Sequence, residues 1–117
     1  MTMAEGELTP AMFQIMLSLL DGERHGYSIM REIADRTQGE VRLGAATLYR
    51  AIKRMVDAGL IVEIAERPAP ELDDERRRYY RLTDVGQQVA RSHAQQLQRL
   101  LETVYRKRLL DAPAMTS

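Results

Sequence analysis

Apolar residues along the first half of the chain recur at the spacing of three successive helices. The first helix begins at Thr9 and Pro10, a capping residue and a residue tolerated at the first helical position, and continues to about Leu20. The second fits residues 26–37 with one apolar face, and the third fits residues 45–58, closed by Gly59. We therefore predict three short helices packed around one core.

The third predicted helix has two unlike faces. At about 100° per residue, one face is apolar and is expected to reach the core: Leu48, Ile52, Met55 and Val56. Thr47, Arg50 and Arg54 lie together on the opposite side, with Lys53 and Asp57 flanking them. This helix is therefore expected to be held by its apolar face and to present a small, basic face outward.

After Gly59 the period changes from helical to alternating. Residues 60–67 are β-branched and alternate, residues 68–70 (PAP) break the pattern, and residues 77–82 (RRYYRL) resemble a return strand. The pattern predicts a hairpin whose tip, residues 71–75, is acidic. Tyr79 and Tyr80 alternate across the second strand, so one of them is expected to face the core.

A last helix is predicted from Thr83 and Asp84, a helix start, to about Leu110. Its length of about 40 Å exceeds what the preceding domain can cover. An apolar stripe runs along this helix and consists of Leu97, Leu100, Leu101 and Val104. The stripe could pack on its own domain, but the length of the helix favours packing against a partner helix. The sequence thus predicts a mainly α (α+β) fold, a winged helix-turn-helix with a long C-terminal dimerisation helix.

The predicted boundaries divide the chain into four parts. Residues 1–8 form a disordered lead, 9–83 the winged helix-turn-helix domain, 84–110 the dimerisation helix and 111–117 a disordered tail. The length of 117 residues suits a single folded domain.

The charge is distributed unevenly, although 17 basic and 17 acidic residues give a net charge of zero. Residues 1–36 hold three Arg against six acids, whereas residues 42–58 hold four basic residues against one acid. Residues 76–81 hold four Arg and no acid. The positive charge is therefore collected on the third helix and on the base of the hairpin.

This element order explains the placement of the charges. A helix-turn-helix lays its second helix in the major groove of DNA, where Arg and Lys reach guanine edges or phosphates, and a wing follows the phosphate backbone. The candidate DNA-contacting residues are Tyr27, Thr47, Tyr49, Arg50, Lys53, Arg54, Arg76, Arg77 and Arg78. Against this, the basic segments could be ordinary solvated faces, and Tyr27 and Tyr49 could be core residues.

Four short motifs in order resemble the PadR family of bacterial transcriptional regulators over about residues 8–90. They are His25-Gly26-Tyr27, Ala46-Thr47-Leu48-Tyr49, Ala58-Gly59-Leu60-Ile61, and Arg77-Arg78-Tyr79-Tyr80-Arg81-Leu82-Thr83 followed by Gly86. The resemblance implies a homodimeric winged-helix repressor that binds a pseudo-palindromic operator and is released by a small molecule. That effector would be small and apolar or aromatic, bound where the first and last helices meet. The single helix after the wing resembles the short PadR subfamily.

Two features depart from the family pattern. Arg50 stands where many members have Pro after the Thr-Leu-Tyr motif, which adds a charge to the DNA face. The predicted wing tip carries four acids, Glu71, Asp73, Asp74 and Glu75, which phosphate would repel. The arginines at the base of the wing are therefore the expected contacts.

Other function classes are poorly supported by the sequence. The absence of cysteine excludes disulfides and thiolate sites, and the two histidines lie 68 residues apart. No Gly-rich phosphate loop, nucleophile elbow or calcium loop is present, so we predict no enzyme activity, no metal and no cofactor. The longest nearly apolar stretch, residues 11–20, is too short to span a bilayer, and we expect a cytoplasmic protein without membrane contact. The alternative is a winged-helix module that binds another protein rather than DNA.

Overall fold

Four helices and three strands make up residues 8–68 and 76–113, the part of the chain that the computed structural model describes. In chain order they are α1 (Pro10–Leu19), β1 (Arg24–His25), α2 (Gly26–Arg36), α3 (Ala45–Asp57), β2 (Ile61–Pro68), β3 (Arg76–Leu82) and α4 (Asp84–Arg106). The predicted order of helix, helix, helix, hairpin and long helix is confirmed, and so is the winged helix-turn-helix fold. The short strand β1 was not predicted.

The start of α1 follows the predicted capping pattern. The Thr9 hydroxyl accepts a hydrogen bond from the backbone N–H of Met12 at 3.2 Å, and Pro10 is the first helical residue. Leu8 departs from the prediction of a disordered lead, because it is only 8% exposed and packs in the core. The rest of that lead, residues 1–7, lies outside the described residues, as do residues 114–117 of the predicted tail.

The start of α2 is capped by a histidine side chain. His25 Nδ1 accepts a hydrogen bond from the Ser28 N–H at 3.1 Å, and its ring meets the ring of Tyr79 edge-on with centroids 5.4 Å apart. The backbone of the same residue pairs with Tyr79 in β1. His25 is thus a capping residue.

The wing is a three-stranded antiparallel sheet in the order β1-β3-β2. Ile61 pairs with Leu82 and Ile64 with Tyr79, after which the register shifts by one residue, so that Arg67 pairs with Arg77. Such a bulge bends a strand and increases its twist. The bulge lies between Ile64 and Arg67, in the half of the hairpin nearer its tip. The predicted acidic tip falls among residues 69–75, outside the described residues.

The core is aliphatic and lies between α1, α2, α3 and the base of the sheet. Its fully buried side chains include Met12, Ile15, Met16, Ile29, Ile33, Leu48, Met55, Leu60 and Ile61. Val56 was predicted to join the core, but 37% of it is exposed, and Ala51 is buried in its place. The reason is helical phase: Val56 lies about 90° from the centre of the buried face.

An ion-paired cluster joins α1 to α2. Glu32 accepts from both Arg24 and Arg36, at 2.8 and 3.0 Å. Arg24 also donates to the Ser18 carbonyl at 2.9 Å, and Arg36 donates to the Gln14 carbonyl at 2.9 Å. These two arginines hold the helices together. They are two of the three basic residues in the acidic first third of the chain, residues 1–36.

The last helix ends earlier than its sequence pattern predicted. α4 stops at Arg106 rather than near Leu110, and Arg108 adopts a left-handed conformation with φ of 62°. The Leu109 N–H bonds to the Val104 carbonyl at 3.1 Å and the Arg108 N–H to the Tyr105 carbonyl at 3.0 Å. This is the bonding pattern of a Schellman helix end, made here without glycine, the usual signal for it.

Candidate nucleic-acid interface

The outward face of α3 is polar and basic, as its sequence predicted. The side chains of Leu48, Ile52 and Met55 are buried and hold the helix against the core. On the other side of the helix the following residues are exposed: Thr47, Arg50, Lys53 and Arg54. With its N-terminus at Ala45 free of bulky side chains, this face has the composition that close approach to the base edges of DNA requires.

Two of the candidate cations are paired with acids in the structure. Lys53 Nζ lies 3.4 Å from an oxygen of Asp57, one helical turn along α3. Arg78 Nε lies 3.4 Å from Glu63 Oε1, across the wing from β3 to β2. All four side chains are largely exposed, so each pair is open to exchange with an external anion such as phosphate.

The three wing arginines follow one another along β3. Arg76 and Arg77 are placed by their backbone register, opposite Pro68 and Arg67, and their side chains lie outside the described part of the structure. The side chain of Arg78 is exposed at the base of the wing. The structure therefore brings Arg78 next to α3, while it leaves the contacts of Arg76 and Arg77 as predictions.

A cleft of about 330 Å³ separates α3 from the wing. Its walls include Val56 and Lys53 from α3, Glu63 from β2, and Arg78 and Tyr80 from β3. Tyr80 is 3% exposed, and it is the tyrosine of the pair that faces the core. Burial, followed by the negative charge of Glu63, raises the pKa of the Tyr80 phenol above its ordinary value, so the group stays neutral at physiological pH.

Tyr49 lies between two helices instead of pointing freely away from the protein. Its hydroxyl packs directly against the backbone of Gly26, the first residue of α2, where even a methyl group would collide with the ring. The ring remains partly exposed beside the basic face. The motifs that contain Gly26 and Tyr49 are thus two sides of one contact, which helps to set the position of α3 on α2.

Tyr27, the other candidate tyrosine, is exposed on the first turn of α2. The guanidinium carbon of Arg31 lies 5.9 Å from the centre of its ring. The Tyr27 side chain is 49% exposed, so its ring does not belong to the core. Tyr27 remains a candidate for a phosphate contact at the edge of the interface.

The second half of α4 has an apolar face that its own domain leaves uncovered. Of the residues of α4, all of which are described, Gly86 and Ala90 are buried. Further along, Leu97, Leu100 and Leu101 are 44%, 63% and 40% exposed, and Val104 is half-buried. The molecule extends 54 Å along its longest axis and 33 and 30 Å along the other two.

A second cleft, of about 310 Å³, lies between α1 and α4. It is lined mainly by apolar side chains: Phe13, Leu17, Leu20, Ala90 and Ala94, together with Gln87 and Arg91. The ring of Phe13 also contacts that of His93, with centroids 4.6 Å apart. This is the region where the first and last helices meet.

Two other kinds of site are absent from the described residues. Within residues 8–68 and 76–113, no three His, Asp or Glu side chains come close enough together to bind a metal ion. No helix in the same part of the chain has the length and hydropathy needed to span a membrane.

The comparison with known proteins agrees with this geometry. The model of the transcriptional regulator PadR-like family matches residues 15–92, from the middle of α1 to the first third of α4. The chain belongs to this family. It is also 33% identical over 73 residues to an uncharacterised protein of Lysinibacillus sphaericus, a match that takes in 62% of this chain and 63% of that protein. The matched region thus spans less than two thirds of the relative's length.

Solved structures of PadR-family and other regulators share the fold. A transcriptional regulator from Clostridium thermocellum is 25% identical with a TM-score of 0.69, over 85% of this chain and 92% of that one. A PadR family regulator from Clostridium difficile is 26% identical with a TM-score of 0.69, over 87% and 100%. PadR of Bacillus subtilis, solved with operator DNA, is 18% identical with a TM-score of 0.63, over 94% and 54%, and shows the fold alone.

Sequence reasoning overlooked several residues that shape this surface. Asp57 was noted only as a flank of the basic face and Glu63 only as part of a strand, yet each pairs with a candidate DNA-contacting cation. The spacing of Lys53 and Asp57 at i and i+4 could have shown the first pair. The second depends on the register between β2 and β3, which the sequence does not specify.

Proposed function

We propose that the protein is a homodimeric, sequence-specific DNA-binding repressor, released by a small apolar or aromatic effector. The observation that carries the proposal is the exposed basic face of α3, held on a buried apolar face beside a wing with Arg78 at its base. When a winged helix-turn-helix binds DNA, its recognition helix faces the major groove and its wing faces the adjacent phosphates. The family places this chain among transcriptional regulators.

In this proposal the contacts divide into two groups. Base edges are read by Arg50 and Arg54, and by Thr47, which lies nearer the N-terminus of α3. Phosphates are bound by Lys53, the wing arginines Arg76, Arg77 and Arg78, and the tyrosines Tyr27 and Tyr49. In the free protein Lys53 pairs with Asp57 and Arg78 pairs with Glu63. On binding DNA, each of these two cations would leave its carboxylate and bind a phosphate.

The dimer in this proposal forms through the second half of α4. The exposed stripe Leu97, Leu100, Leu101 and Val104 repeats at a spacing of three and four residues, which is the spacing that one helix presents to another. A two-fold dimer would place two recognition helices on a pseudo-palindromic site. The apolar cleft between α1 and α4 adjoins this stripe, and we propose it as the effector site, because about 310 Å³ is within the range of small-ligand pockets.

The test is selection of DNA by the purified protein. Random-sequence duplexes retained at moderate salt are sequenced, and the enriched site is measured by fluorescence anisotropy against scrambled duplex. We expect a pseudo-palindrome bound at least a thousandfold more tightly than scrambled DNA. Failure to enrich any sequence, together with stable binding to another protein, would instead support the protein-interaction module. A library of small aromatic compounds, screened for release of the enriched site, tests the effector.

A further inference from the structure

We infer that Thr83 is a positioning residue that fixes the angle between the recognition helix α3 and the dimerisation helix α4, and so sets the spacing of the two half-sites. The inference rests on the proposed dimeric, DNA-binding function. It concerns a residue outside both the basic face and the apolar stripe. The observation is a continuous chain of hydrogen bonds from the end of α3 to the start of α4.

The first part of this chain belongs to the end of α3. The Gly59 N–H bonds to the Val56 carbonyl at 3.0 Å, and the Leu60 N–H bonds to the Met55 carbonyl at 2.9 Å. Gly59 has φ of 77°, which only glycine adopts without strain. The carbonyl groups of Gly59 and Leu60 are therefore held in a fixed position relative to α3.

The second part consists of a single threonine. Thr83 Oγ1 lies 2.6 Å from the Gly59 carbonyl oxygen and 3.0 Å from that of Leu60, so the hydroxyl donates to this pair of carbonyls. The Thr83 N–H donates to the Leu60 carbonyl at 3.0 Å. The same hydroxyl accepts from the Gly86 N–H at 3.0 Å and thereby caps α4. One side chain thus joins two helix termini.

Close packing at Gly86 brings the start of α4 against the end of α3, and the bonds of Thr83 then set the angle between them. Gly86 is buried in the first turn of α4, and a methyl group added there would collide with the Leu60 carbonyl and lie 2.8 Å from Leu82 Cδ1. The first turn of α4 therefore rests directly on the backbone that leaves α3. A change in the angle of α4 has to break the hydrogen bonds of Thr83.

The length of α4 makes this angle important for DNA binding. Its 23 residues extend about 34 Å, so a rotation of about 10° at Thr83 moves the far end by about 6 Å. If the far half of α4 forms the dimer, the same rotation shifts one recognition helix relative to the other. A shift of that size approaches two base pairs at about 3.4 Å each, and it would misplace a helix meant for a half-site one turn away.

The experiment measures how affinity depends on half-site spacing. The enriched operator is varied by inserting or removing one or two base pairs between half-sites, and Kd is measured for wild type, Thr83→Val and Thr83→Ser. Wild type and Thr83→Ser should lose at least about tenfold in affinity when two base pairs are inserted, since both keep the hydroxyl. Thr83→Val should lose at least about threefold less affinity than wild type over the same insertion, because without the hydroxyl bonds its two recognition helices can follow part of the change in distance and twist.

A matched control separates this effect from loss of a helix cap. Thr9→Val removes the corresponding hydroxyl cap from α1, and within the described residues that hydroxyl bonds to the Met12 N–H and not to α3 or α4. We expect Thr9→Val to keep the spacing dependence of wild type. If Thr83→Val is unfolded, Thr83→Asp replaces it, because Asp caps a helix but its carboxylate is repelled by the Gly59 and Leu60 carbonyls.

The outcomes distinguish this inference from the proposed function. A folded, dimeric Thr83→Val or Thr83→Asp with the spacing profile of wild type would overturn the positioning role. So would a Thr9→Val protein whose profile flattens equally. Failure of wild type to select any operator would instead overturn the proposed function.

Discussion

Four arginines of the helical part of the domain differ in what their side chains contact. Arg24 and Arg36 are drawn into a cluster around Glu32 that joins α1 to α2. Arg50 and Arg54 lie on the exposed face of α3, opposite its buried side chains. Of these four, Arg50 and Arg54 are the ones placed to contact another molecule, so net charge alone is a poor guide to the interface.

Replacing Arg50 or Arg54 by Ala should weaken operator binding with little effect on folding. A bidentate contact to guanine contributes about 1–3 kcal/mol of discrimination, whereas exposed substitutions usually change stability by less than about 0.5 kcal/mol. Anisotropy with the enriched and scrambled duplexes, and urea denaturation, measure the two effects. Arg99→Ala on α4 is the control. Operator binding equal to wild type in both variants would show that α3 does not read the bases.

Removing the histidine cap of α2 should destabilise the protein. His25→Ala deletes the acceptor for the Ser28 N–H, and loss of an N-cap costs about 1 kcal/mol of the free energy of unfolding. His25→Asn supplies another side-chain acceptor and should recover most of that loss. Urea denaturation measures both variants, and equal stability of Ala and Asn variants would contradict a capping role.

At the scale of elements, Arg78 of the wing forms an ion pair with an acidic residue of the neighbouring strand. Arg78 on β3 and Glu63 on β2 are brought together by the register of the hairpin, and both line a cleft with Lys53 of α3. Binding of phosphate by Arg78 has to compete with Glu63. If Arg78 binds phosphate as proposed, the pair with Glu63 reduces the strength of that contact.

Arg78→Ala should weaken binding to every DNA sequence and flatten its salt dependence. Each phosphate contact contributes roughly 0.9 to the slope of log K against log salt. Glu63→Gln should have the opposite effect and raise affinity roughly two- to fivefold, since an exposed ion pair contributes about 0.2–1 kcal/mol. The controls are Arg106→Ala and Glu102→Gln, which change the same charges far along α4. Unchanged slope in Arg78→Ala would show that this part of the wing does not contact phosphate.

At the scale of the whole molecule, α4 is longer than its own domain. Its first two turns are anchored through Thr83, Gly86 and Ala90, and beyond them the leucines of its second half are exposed. A helix in this position is stable in water only at the cost of exposing apolar surface. In the proposed dimer, a second copy of the chain would cover that surface and at the same time duplicate the basic face.

Leu97→Glu combined with Leu101→Glu should convert the protein to a monomer and abolish operator binding. Each carboxylate would be buried without a partner in the dimer, at a cost of several kcal/mol. Linked half-sites gain affinity through effective concentration, so the two losses should occur together. Sedimentation and anisotropy measure them. Val85→Glu, equally exposed but in the first turn of α4, should remain dimeric. A double variant that is still dimeric at micromolar concentration would place the interface elsewhere.

The sequence by itself determined the order of the four helices and the hairpin, the helix starts and most of the core, because these depend on local patterns. Hydrophobic period distinguishes helix from strand, and Thr9, Thr83 and Gly59 mark helix ends through hydrogen bonds made within a few residues. The two faces of α3 follow from the same period. These predictions agree with the structure except at three places. Val56 is exposed because of its position around the helix, and Leu8 is buried in the core. The helix α4 ends early, at a helix end made without glycine.

Tertiary structure alone decided which distant residues meet. The strand β1 exists because Arg24 and His25 lie beside β3, about 55 residues later, and no alternation in a two-residue segment could reveal it. The contact of Tyr49 with Gly26, the pair of Glu63 with Arg78, and the bonds of Thr83 to Gly59 and Leu60 likewise join residues separated by many positions. Each depends on the angle at which two elements pack, a property of the assembled core that no local pattern encodes.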